Sequence, residues 1–168
     1  VALPLTLAEV AAAACGQNEA LAEKVRGFLA ERLEFYLREA RGQAYDEVKA
    51  VLAAGAEVVL DAVARAEAVT AVRGSDDFAA VSAAFKRMKN ILAQAGDKGI
   101  AVGTQVDDLL LSEATEKALS ERSTAVAGQV AELCAGKNYT ASLESIATLR
   151  PQVDAFFDAV MVMAPEVE

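Results

Sequence analysis

A glycine closes almost every apolar stretch of this sequence. Gly16, Gly42, Gly55, Gly74 and Gly136 each follow a run whose apolar residues recur three and four positions apart, the spacing that lines one face of an α-helix. Glycine is common just past such a run because it enters the left-handed region without strain. The punctuation predicts a first helix from Leu7 to Cys15 and a long one capped by Asn18 and reaching Arg41. Further helices are expected over about Tyr45–Ala54, Glu57–Val72, 76–95, 112–135 and 140–149, with Ser75 or Asp76 as the cap of the fifth. The last starts at Pro151, which suits a helix N-terminus, and puts Val153, Phe156, Phe157, Val160 and Met161 on one side. Leu21, Val25, Phe28, Leu29, Leu33, Tyr36 and Leu37 should face inward on the long helix, and Phe78, Val81, Phe85, Met88 and Leu92 on the fifth. The segment 96–105, GDKGIAVGTQ, has neither an upstream strand nor the spacing of a phosphate-binding loop, and is read as a connection. Few aromatics, no Trp and only three Pro favour packed helices over a sandwich. The expectation is all-α: residues 1–168 as a single helical bundle of about seven to eight helices.

Several function classes are excluded or disfavoured by composition. No apolar run approaches the roughly 20 residues that cross a bilayer, and the first segment lacks the basic start of a signal peptide. A soluble, cytoplasmic protein is expected, with no membrane partner. Cys15 and Cys134 have no second Cys and no His near them, so buried, reduced thiols are expected and no metal site is assigned. The chain contains no histidine, which rules out Ser-His and Cys-His nucleophile pairs and histidine acid/base chemistry. Asp107 with Asp108, and Asp154 with Asp158, lack a companion base, so no catalytic residue is assigned. The net charge of −9 is unfavourable for a polyanion partner, but residues 1–98 carry 12 basic against 14 acidic side chains and residues 99–168 carry 4 against 11. A basic stripe is therefore compatible with the first part.

The fifth helix supplies one. Lys86, Lys89 and Asn90 are neighbours at i, i+3 and i+4, Arg87 lies one position round, and no acid occurs between Phe78 and Ala95. Such a patch suits a phosphate backbone, with Asn90 adding a hydrogen bond to a base or sugar. On spacing alone, a solvated face is the better of the two readings. On the long helix, Arg26, Arg32, Arg38 and Arg41 alternate with Glu23, Glu31, Glu34 and Glu39, which reads as exposed i, i+4 pairing. Tyr36, Tyr45 and Tyr139 could stack on unpaired bases, but packing at or near the core is the better reading.

Three stretches in order carry a family resemblance: RLEFYLRE with Gly42, Tyr45-Asp46, Val48 and AVL at 50–52; AFKRMKNIL at 84–92; and LRPQVDAFFDAVMVM at 149–163. Together they resemble the C-terminal anticodon-binding-like (DALR-type) domain of the bacterial glycyl-tRNA synthetase β subunit. The resemblance implies a helical domain similar to class I synthetase anticodon-binding domains, recognising the anticodon arm of glycine tRNA. It implies a heterotetramer with an α subunit that carries out aminoacylation using ATP and Mg²⁺, so that this stretch is non-catalytic and holds no cofactor. Lys86, Arg87, Lys89 and Asn90 are the residues carried over as RNA contacts; Gly42, Asp46, Pro151 and Phe156 are carried over as architectural. The family pattern continues past VMVMA into another helix, so a piece of a larger subunit is expected, one that could self-associate through the uncovered core. The alternative is a helical protein-interaction module for subunit assembly.

Overall fold

The structure, a computed structural model, describes residues 5–103 and 105–162. Among these the fold is all-α, with eight α-helices, one π-helical turn, one 3-10 turn and no β-strand. No helix is long and apolar enough to cross a membrane, among the described residues. The chain divides into two compact units, Val1–Val72 and Arg73–Glu168.

The first unit holds α1 (Leu7–Cys15), α2 (Glu19–Phe35), the π-helical turn Tyr36–Ala40, α3 (Tyr45–Ala53) and α4 (Val59–Val72). Capping side chains set the starts. The Thr6 hydroxyl accepts from the Glu9 N–H at 3.0 Å while Glu9 accepts from the Thr6 N–H at 2.8 Å, and Asn18 Oδ1 accepts from the Leu21 N–H at 3.0 Å. The helical rod of α2 and the π turn ends at Gly42, whose φ of +69° is the left-handed stop read from the sequence. Leu33, Leu37, Val48, Val51, Ala62 and Ala66 form the core, with Leu52, Val59 and Val63 packed against it. Leu21, Phe28 and Tyr36 do not join it. They are exposed, with Phe28 at 58% and Phe35 beside it at 55%. The helix presents only the arc through Leu29, Leu33 and Leu37 to its neighbours, which is narrower than the arc the apolar pattern spans.

The second unit holds α5 (Asp76–Asp97), a 3-10 turn (Asp108–Leu110), α6 (Ala114–Ala135), α7 (Tyr139–Ala147) and α8 (Arg150–Ala159). Ser75 caps α5, its hydroxyl accepting from the Phe78 N–H at 3.1 Å. Both α7 and α8 pack against α5 and against α6. The buried residues Ala95, Val126, Ser142, Ala147 and Val153 are small, which permits close approach of the helices. The final helix is shorter than its apolar pattern: it ends at Ala159, Val160 is extended, and Met161 is exposed. β-branched Val160 and Val162 disfavour continuation; Met163 lies outside the described residues. The cysteines are free but not buried, Cys15 being intermediate and Cys134 exposed.

Candidate nucleic-acid interface

The packed side of α5 runs through Ala80, Val81, Ala84, Met88, Ile91 and Ala95, all buried or half-buried. This stripe is rotated from the one expected. Phe85 and Leu92 fall beside it, 64% and 54% exposed, because small alanines rather than the large side chains meet α7 and α8. Lys86, Arg87, Lys89 and Asn90 are exposed as the sequence spacing requires. Lys86 and Lys89 form no ion pair among the described residues, and Phe85 lies one turn from Lys89. The open side of α5 therefore combines two uncompensated ammonium groups, an amide and an exposed aromatic ring. Phosphates, a base edge and a base face are the groups these recognise.

Arg87 is drawn elsewhere. Its guanidinium carbon lies 4.0 Å from the centroid of the Phe157 ring on α8, a close cation–π stack. Phe157 in turn meets Phe156 edge to face, with centroids 5.2 Å apart. Arg87 and Phe157 line an open cleft of about 510 Å³ with Ala80, Ala83 and Ala84 of α5. Arg150, Asp154 and Asp158 complete its α8 side. Arg150 Nη1 donates to Asp77 Oδ1 at 2.9 Å, and its Nε lies 3.5 Å from Asp154 Oδ2, which ties the start of α8 to the first turn of α5. The hydrogen bond to Asp77 holds the Arg150 guanidinium still more firmly protonated than usual. Asp158 has no ion-pair partner among the described residues.

Sequence spacing thus locates Lys86, Lys89 and Asn90 as a group but misses Phe85, Phe157, Arg150 and Asp158. Phe85 reads as core from periodicity, and the other three are distant in sequence. The one signal that points to them is the crowding of Asp154, Phe157 and Asp158 on a single helical face.

The remaining candidates lie in the first unit. Arg41 pairs with Glu67 and Lys49 with Glu34, so part of this charge is neutralised as expected. Tyr36 and Tyr45 are exposed rather than packed, and Arg38 and Lys49 both approach the Tyr45 ring at 5.5 Å. Arg32 lies 5.6 Å from the Phe28 ring and 5.3 Å from that of Phe35. Tyr139, in the second unit, is half-buried at the start of α7.

No protein-family profile matches the chain. It is similar to the glycine-tRNA ligase beta subunit of Acidobacterium capsulatum, 60% identical over 148 residues, which are 86% of this chain and 21% of that protein. The beta subunit from Histophilus somni is 38% identical over 170 residues, 98% of this chain and 24% of that protein. That of Anaeromyxobacter dehalogenans is 40% identical over 148 residues, 87% and 20% of the two chains. The chain thus spans between a fifth and a quarter of the length of the curated relatives it matches. Fold, helix-by-helix pattern and these similarities agree: the chain belongs to the family of glycine-tRNA ligase beta subunits.

Proposed function

We propose that this chain is the tRNA-recognition part of a glycine-tRNA ligase beta subunit, positioning glycine tRNA by its anticodon arm for aminoacylation carried out by a partner α subunit in a heterotetramer. ATP, Mg²⁺ and glycine belong, in this reading, to the partner's active site. The observation that carries it is the open face of α5, where Lys86 and Lys89 stand uncompensated beside Asn90 and the exposed Phe85. Phosphate contacts from the two lysines fix register and orientation; the amide and the ring act on unpaired bases.

Phe28, Phe35 and Arg32 on α2 favour a second reading for the first unit, subunit assembly. Exposed aromatic rings gathered around an arginine are typical of protein interface centres. The readings separate in a competition experiment with glycine tRNA and a version carrying a substituted anticodon. Recognition predicts weaker binding of the substituted tRNA and loss of binding after Lys86→Glu. Equal binding of both tRNAs, insensitive to Lys86→Glu, contradicts recognition and leaves assembly as the function.

A further inference from the structure

We propose that the cleft between α5 and α8 receives one unpaired nucleobase that carries an amino group on its pairing edge. The inference rests on the RNA-binding reading above and adds to it the chemical class that this cleft selects.

Size and shape come first. The cleft measures about 510 Å³ and is floored by the methyl groups of Ala80, Ala83 and Ala84, within the range of about 300 to 1,000 Å³ usual for small-ligand pockets. One wall is the Arg87 guanidinium stacked on Phe157. A planar cation held flat on a ring is a preorganised surface for a further aromatic plane, and unpaired bases stack on both arginine and aromatic side chains. Arg87 thereby acquires a role distinct from that of Lys86 and Lys89.

Charge then decides what enters. Arg150 is occupied by Asp77 and Asp154, so its charge is compensated within the cleft. Asp158, on the same wall, has no partner among the described residues. A site holding these carboxylates disfavours a phosphate and offers acceptors only. Carboxylates accept from the exocyclic amino group of cytosine. The single N–H of uracil lies between two carbonyl oxygens, which a carboxylate repels. The cleft therefore takes an amino-bearing base and discriminates against uracil, while the sugar-phosphate chain runs over the open face of α5.

The test uses the 168-residue chain and two single-stranded RNA hexamers, oligocytidine and oligouridine, with glycine tRNA as a control. Oligocytidine is expected to bind about tenfold more tightly than oligouridine. Asp158→Asn should collapse that ratio toward unity, and Arg87→Lys should weaken oligocytidine about tenfold without changing the salt slope, since the charge stays and the stack is lost. Circular dichroism verifies that both variants fold. Equal affinity for the two hexamers, or a ratio unmoved by Asp158→Asn, overturns the proposal. Salt-dependent tRNA binding without hexamer binding overturns the cleft alone, whereas absence of both overturns the RNA-binding reading with it.

Discussion

Gly27 and Gly42 belong to the same helical rod, yet their replacement should act in opposite directions. Gly27 lies inside α2, where a methyl group would meet nothing within 4 Å, so Gly27→Ala introduces no clash. It should raise stability by about 0.5 to 1 kcal/mol through helix propensity. Gly42 has equal space, but its φ of +69° strains any other residue; Gly42→Ala should cost about 1 to 2 kcal/mol. Urea denaturation of the two variants reads both signs, and a shift of both midpoints in the same direction contradicts the assignment. Glu9 supplies a pH effect at the same scale. Hydrogen bonds from the Thr6 N–H and hydroxyl hold its carboxyl below the ordinary value of 4.5. Because the folded value is the lower one, the stabilisation is complete above the unfolded value and disappears as pH falls through the folded one. Amide exchange at Thr6, corrected for its intrinsic rate, should lose protection on acidification in the native chain. Glu9→Gln should remove that pH dependence.

Among elements, α3 depends on a carboxylate that periodicity does not reveal. Glu47 is 5% exposed, accepts from the Ala44 N–H at 3.0 Å and from the Thr70 hydroxyl at 2.9 Å, and so joins the start of α3 to α4. Glu47→Ala should destabilise the chain by about 2 kcal/mol, the scale of hydrogen bonds to a charged group in a half-dry site. A change below about 0.5 kcal/mol would show that solvent replaces both bonds. Helix starts are legible in the sequence because Asn18 and Ser75 cap through local, few-residue chemistry. Helix faces are only partly legible. Periodicity gives the arc of apolar residues but not how many neighbours cover it, so Phe28 and Phe85 read as core and prove to be exposed. The left-handed residue after α6 is likewise Lys137, at φ 56°, rather than the glycine before it. The choice between them is set by the carbonyls of Leu133 and Cys134, which accept from the Asn138 and Lys137 N–H groups. At the candidate site, Lys86, Lys89 and Asn90 can be read from one acid-free helix. The destination of Arg87 cannot, because Phe157 reaches it only through the tertiary packing of α8 on α5.

For the whole molecule, a net charge of −9 opposes a polyanion, so a local basic face must overcome a repulsive field. That opposition makes salt dependence the most informative property, since screening weakens the distant repulsion and the local attraction together. The measurement that tests recognition most directly is the binding of glycine tRNA to the 168-residue chain across a salt series, for the native sequence and for Lys86→Glu/Lys89→Glu. The native chain should lose affinity linearly in log salt, and the double variant should bind at least about tenfold more weakly with a slope shallower by about one to two units. Identical affinities and slopes for the two proteins would contradict the account.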